Sequence, residues 1–219
     1  MSFTSPTSPS RPSRSSARPA HDDYAAWQRW VCLVGTSLIV TGDLHPERSA
    51  ALAQLERWLD AGAVGIIDCR GEWTDEDLVA VAAPQLDYRY LGTDDAGQGQ
   101  DDEWFEAGLA HYLDLVQGGG RVVVHCHMGI NRGPSMAFAL LLATGWGITA
   151  ALDTVAEARP IVGLIYATDA VRWWGRRNGW TEDQVNEGIA EVSLWHLTKG
   201  IDIAQVIRVI RQATRKELG

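Results

Sequence analysis

One stretch of the chain, Arg121-Val-Val-Val-His-Cys-His-Met-Gly-Ile-Asn-Arg-Gly-Pro-Ser135, concentrates the residue types that could do chemistry. An apolar, β-branched run leads into Cys126, a loop containing Gly129 follows, and helix-compatible sequence begins near Arg132. A thiol at the foot of such a loop lies where backbone N–H groups converge on an anion at a helix N-terminus. The same donors favour thiolate over thiol. Helix N-termini and adjacent cations lower a cysteine pKa from about 8.5 into roughly the 3.5–7.5 range, which gives a nucleophile at neutral pH. Arg132 follows with five residues between it and the thiol, and it can return over the loop to grip two phosphoryl oxygens with its planar fork. A buried apolar cysteine closing a strand would account for Cys126 alone, but not for the conjunction of Cys126, Gly129 and Arg132 at a strand-to-helix turn.

Such a loop needs a sheet beneath it and a helix after it. Short runs rich in Val, Ile or Tyr predict strands at Cys32–Val34, Ser37–Thr41, Val64–Cys69, Tyr88–Leu91 and Arg121–His125. Apolar residues at helical spacing predict helices over Glu47–Ala61 and Asp102–Gln117, the latter capped by Asp102 and ended by Gly118–Gly120. After Arg132 the pattern is helical almost to the end: Pro134–Thr144, Ile148–Ala158, Tyr166–Asn178, Glu182–Leu194 and Ile203–Lys216. Strands alternating with helices, then a run of helices, indicate an α/β core with a helical C-terminal half.

Composition narrows the function classes. Over 219 residues the formal net charge is −9 and the pI about 5.1. This argues against nucleic-acid partners, whose recognition depends on a basic surface. Residues 1–20 hold four of the eight prolines, seven serines, three arginines and no acid, so the rest of the chain carries −12. A segment so poor in apolar surface cannot offset the entropy of ordering its backbone, so residues 1–23 read as a disordered tail. It lacks the apolar stripe of a transit peptide. No apolar run approaches the ~18 residues of a membrane span, so no membrane partner is expected. Cys32, Cys69 and Cys126 are an odd, scattered set, which favours a reducing cytoplasm and free thiols.

The pattern His125-Cys126-x5-Arg132 resembles the active-site signature of the cysteine-dependent protein phosphatases, specifically the compact dual-specificity branch, with Gly129 where that loop has its glycine. The resemblance runs from about Leu38 to Trp174 and includes Thr41-Gly42-Asp43, Val64–Cys69 and Ala158-Arg159-Pro160. It implies a protein-tyrosine-phosphatase-like α/β fold with a mainly parallel central sheet flanked by helices. The implied domain spans 24–180, with 181–219 as a helical extension packed on it.

The resemblance also implies roles. Cys126 is the nucleophile. The loop from His127 through Met128, Gly129, Ile130 and Asn131 binds phosphate together with Arg132. An aspartate from the Asp/Gly-rich loop after Leu91 protonates the leaving oxygen: Asp95 by alignment, Asp94 as the alternative. His125 would orient the loop by hydrogen bonding, with Asp94 and Ser135 also in supporting positions. Trp73 and Trp104 are candidates for the mouth of the site. Cys69 occupies a position resembling the backdoor cysteine of the lipid-phosphatase branch, a possible redox partner for Cys126.

No metal is expected, since His127 has no second ligand at suitable spacing, and no cofactor is implied. The expected substrate is a phosphoprotein carrying phosphotyrosine or phosphoserine/threonine. The loop has no lysine, which disfavours highly charged inositol phosphates. Asn131-Arg132 resembles an RNA 5′-phosphatase branch, the alternative enzyme reading. Gly133 stands where the branch has Ser or Thr, whose hydroxyl stabilises the cysteine leaving group. This supports a phosphate-binding pseudophosphatase as the non-enzymatic alternative, and in an enzyme it predicts that Gly133→Ser speeds breakdown of the intermediate. The sequence indicates no oligomeric state.

Overall fold

The computed structural model describes residues 24–218, so the expected tail over 1–23 lies outside the described residues. A five-stranded sheet forms the centre, built from β1 (Cys32–Val34), β2 (Leu38–Thr41), β3 (Ala63–Arg70), β4 (Asp87–Thr93) and β5 (Arg121–His125). Their order is β1-β2-β5-β3-β4, with β1 antiparallel to β2 and the other neighbours parallel. This is the predicted class, and β5 sits at its middle. Val122, Val123 and Val124 of β5 are fully buried, because a strand covered on both faces needs apolar residues at every position.

After the short α1 (Tyr24–Trp27), which lies apart from this layer, two helices cover one face: α2 (Arg48–Asp60) and α3 (Glu76–Ala82) pack on Ile39, Ile66 and Val123. The opposite face carries α4 (Asp102–Val116), α5 (Arg132–Ala143), α6 (Ile148–Ala158), α7 (Ala167–Arg177) and α8 (Glu182–Lys199). Helix α5 is buried along Arg132–Leu142, which its all-round apolar composition requires of a central helix. The last helix, α9 (Ile203–Leu218), packs with α1 through Val206, Ile210 and Trp27 in a third apolar cluster that also contains Ile130 of the loop.

Several boundaries differ from the sequence reading. α3 and α1 are too short to show a helical period and were not predicted. Helix α5 begins at Arg132 rather than Pro134, because proline without an N–H fits a first helical turn. Helix α8 runs on to Lys199: Trp195 Nε1 and Lys199 Nζ both bond Asp153 Oδ1, at 2.8 and 2.7 Å, and hold its last turn. Its start is fixed by a capping box between Thr181 and Gln184. Asp102 does not cap α4. Asp101 is the cap position and its side chain makes no cap bond, while Asp102 pairs with Arg176. Among the described residues no helix is long and apolar enough to cross a membrane.

Candidate active site

The loop between β5 and α5 lies at the C-terminal ends of the parallel strands, the usual ligand edge of an open α/β sheet. Strand alternation decides which way each side chain points. Cys126, only 1% exposed, faces the α5 side with Val122 and Val124, whereas Val123 packs among the residues under α2. Cys69 belongs to the same cluster as Cys126, and the register pairs Asp68 with His125, so the two sulfurs occupy the next position along adjacent strands. Burial, then the neighbouring Cys126 and Asp68, push the Cys69 thiol well above its ordinary range.

The loop is held open from outside. Arg159, fully buried, donates from Nε to the Gly129 carbonyl (2.6 Å) and from Nη2 to the carbonyls of Met128 and Gln28 (3.0 Å each). Carbonyls tied outward leave the N–H edges of the loop to face its centre. Gly129 makes this possible: its φ is +64°, and a Cβ there would meet Arg159 Nη2 at 2.4 Å and the Thr41 carbonyl at 2.6 Å. The Asn131 side chain makes no cap bond to α5, so the N–H groups of the first turn keep their anion-binding capacity.

Arg132 is buried, and its five donors can be accounted for. Nη1 bonds Glu72 Oε2 and the Thr93 carbonyl, both at 2.8 Å, and Nη2 bonds Glu72 Oε1 at 2.8 Å. Nε, buried, has no hydrogen-bond partner among the described residues and lies 3.7 Å from Asp95 Oδ2. The side-on pair, Nε–H with the second Nη2–H, therefore remains for a phosphoryl group. Glu72 was not singled out by sequence; its signal was an acid two residues past the end of β3. Burial acts to raise the Glu72 carboxyl, but the Arg132 hydrogen bonds and charge outweigh it, and the net displacement is downward.

Asp95 is drawn to the same place. Tyr166 Oη donates to Asp95 Oδ1 at 2.9 Å and lies 3.4 Å from the Asp94 carbonyl, while Asn131 Nδ2 reaches both Asp95 oxygens at 3.4 Å. Burial and then the Asp95 charge push the Tyr166 phenol up to about 12, so it stays a donor at neutral pH. Asp94 contributes its backbone here. Ser135 Oγ accepts the Tyr166 backbone N–H at 3.3 Å, which ties α5 to the segment that positions Asp95. His127 Nδ1 meets Asp43 Oδ2 at 2.8 Å.

Two expectations need correction. His125 does not hydrogen-bond the loop: neither ring nitrogen has a hydrogen-bond partner among the described residues, Nε2 is 3.7 Å from Asp68, and the ring packs beside Trp58. Burial lowers its pKa and keeps it neutral, so its part is packing behind β5. Trp104 does not line the mouth. It packs on Phe105 and donates from Nε1 to the Leu91 carbonyl at 2.8 Å. Gly133 also acquires a structural reason: a Cβ there would lie 3.0–3.2 Å from backbone atoms of His125 and Cys126, so α5 approaches β5 too closely for a side chain without a shift.

Asp68, Asp75 and His125 offer donor atoms within 4.8 Å of one another, a set that could hold a divalent ion. The Arg70 guanidinium already bonds both carboxylates, each at 2.6 Å, and supplies the positive charge there.

No protein-family model matches the chain, and no curated relative does. Solved structures do match it in shape. Human DUSP28 aligns at 17% identity and a TM-score of 0.57 over 68% of this chain and 99% of its own. Tk-PTP in its active form aligns at 14% identity and 0.55, covering 67% and 97%. PTPMT1 in complex with PI(5)P aligns at 16% and 0.52, covering 65% and 93%. The mixed sheet, its order and the helices around it thus give this chain the α/β fold of the cysteine-dependent, dual-specificity type of phosphatase.

Proposed function

We propose that the chain hydrolyses phosphomonoesters of proteins, on Tyr or on Ser/Thr, through a phosphocysteine intermediate. The observation that carries this reading is the side-on donor pair of Arg132, Nε–H and the second Nη2–H, which has no hydrogen bond among the described residues and turns toward Asp95. The Cys126 thiolate attacks phosphorus in line; an S–P bond forms as the P–O bond breaks, and Asp95 gives its proton to the departing oxygen. Water then attacks, Asp95 takes a proton from it, and the S–P bond breaks to release inorganic phosphate. The loop amides from His127 to Asn131 and Arg132 stabilise the equatorial oxygens in both steps. Glu72 and Tyr166 position Arg132 and Asp95. No step draws on a metal or cofactor.

The catalytic unit is assigned to 24–180 and the extension to 181–219, with α9 backing the loop near Ile130. The setting is a reducing cytoplasm, in keeping with Cys69 and Cys126 as buried thiols outside any disulfide. The carboxylates of Glu72, Asp43, Asp94 and Asp95 around the loop weigh against an RNA 5′-end as substrate. Gly133, which leaves the thiol without the adjacent hydroxyl, is the one observation favouring a phosphate-binding pseudophosphatase.

Incubation of the full chain with para-nitrophenyl phosphate and a chelator separates the two. Continuous release of phenol and phosphate supports the enzyme. Binding of phosphate without turnover supports the pseudophosphatase and overturns the proposal.

A further inference from the structure

The residue after Glu72 is a tryptophan that remains 46% exposed beside the phosphate loop. Its ring is not loose. The Arg70 guanidinium carbon lies 5.3 Å over the ring centroid, and Arg70 is itself buried and bonded to Asp68 and Asp75. The His127 ring stands edge-on to it, with centroids 5.1 Å apart at 71°, and His127 is held by Asp43. The indole is therefore fixed in place before any ligand arrives, which removes the ordering cost that a mobile side chain would bring to binding.

The charges around it restrict what it can hold. Glu72, Asp43, Asp94 and Asp95 stand about the loop, and among the described residues the cations there, Arg29, Arg70 and Arg132, each pair with a carboxylate. With the remaining Arg132 donors taken by the phosphoryl group, a leaving group meets no unpaired cation among the described residues at this rim, and its hold comes from apolar contact. Serine and threonine phosphates present a short aliphatic stem with no flat surface. A phenyl phosphate presents a ring to the exposed indole, where offset or edge-on packing of aromatic rings is favourable.

The geometry points to Trp73 as an aromatic platform that selects aryl over alkyl phosphomonoesters, so that phosphotyrosine is the preferred protein substrate. This rests on the phosphatase reading above. Trp73 would touch the leaving group, whereas Glu72, its neighbour, touches the group that holds the phosphate.

The test compares one peptide carrying either phosphotyrosine or phosphothreonine at the same position, for the parent, Trp73→Ala and Trp73→Phe. The parent should favour the phosphotyrosine peptide. Trp73→Ala should raise KM for it roughly five- to tenfold, the scale of a lost aromatic pair, with kcat within about twofold and the phosphothreonine reaction unchanged. Trp73→Phe should restore most of the loss. Equal loss on both peptides would mean that Trp73 only covers Arg70, and absence of a phosphotyrosine preference in the parent would equally overturn the inference.

A binding arm keeps the two readings separate. In Cys126→Ser protein, phenyl phosphate should bind more tightly than ethyl phosphate, and Trp73→Ala should abolish the difference. Equal binding of the two ligands overturns the platform even if the enzyme turns over. A parent that hydrolyses neither peptide but keeps the difference faults the catalytic reading and leaves the platform standing.

Discussion

Glu72→Ala tests the positioning of Arg132 without altering any group assigned to touch the substrate. The variant loses both Glu72 hydrogen bonds at 2.8 Å and leaves the buried guanidinium one hydrogen bond, to the Thr93 carbonyl, beside the 3.7 Å contact with Asp95. Hydrogen bonds to charged groups are worth about 1.5–3 kcal/mol each; because the Glu72 side chain is 37% exposed, the lower end applies. A transition-state donor is worth about 2.7–4 kcal/mol, and a donor freed to rotate loses part of that. Together these place the loss in kcat/KM at about 2 kcal/mol, or roughly thirtyfold. Glu72→Gln, which keeps one acceptor, should lose less. The pH dependence follows from the downward displacement of the Glu72 carboxyl. A carboxylate lowered in the folded state contributes stability above its unfolded pKa of about 4.3 and loses it only as pH falls through the lower folded value. The Arg132 link is thus intact from about pH 5 upward, and the ratio of parent to Glu72→Ala activity should be flat from there to about pH 8. Steady-state kinetics on an aryl phosphate across that range make the measurement. A loss under twofold, or a ratio that climbs steeply between pH 5 and 8, would refute the reasoning.

Tyr166→Phe removes the 2.9 Å donor to Asp95, so kcat should fall about fivefold, and by more for a phenol of high pKa than for para-nitrophenol; a uniform loss across leaving groups would contradict a role in placing the acid. Gly133→Ser should reduce turnover and lower Tm, since its Cβ meets the backbone of His125 and Cys126 at 3.0–3.2 Å, the reverse of what the missing hydroxyl alone suggests; faster turnover at unchanged Tm would show that the loop accommodates the side chain. Peroxide should oxidise Cys126 first, because the Cys69 thiol is raised well above its ordinary range, and Cys69 should then capture the sulfenic acid as a disulfide with release of water. Peptide mapping that finds Cys126 as sulfinic acid with no Cys69 link would exclude this route.

Much of the scaffold was legible because it depends on local patterns. The Val-rich run of β5, the glycine at 129 and the apolar length of α5 mark a strand, a turn and a central helix by composition alone. The short α3 was not legible, since seven residues carry too little of a 3.6-residue period. The residues around Cys126 divide in the same way. Arg132 could be found by its spacing, but Glu72 and Tyr166 reach it and Asp95 from 60 and 71 residues away, through strand order and the seating of α7. The role expected for His125 failed for a related reason. Alternation along β5 turns its ring away from Cys126 toward the Trp58 side of the sheet, and only the position of Asp68 on the neighbouring strand shows what it faces. In the sequence Gly133 is a missing hydroxyl, whereas the close approach of α5 to β5 gives it a steric reason that no one-dimensional pattern contains.

The central claim is that Cys126 carries the phosphoryl group. Acid-quenched intact-mass spectrometry of the full chain during turnover of an aryl phosphate reads it directly. The account predicts a population heavier by one phosphoryl group, mapped to Cys126, and the loss of both adduct and turnover in Cys126→Ser while phosphate binding persists. Turnover at the parent rate in Cys126→Ser, or an adduct on any other residue, would contradict it.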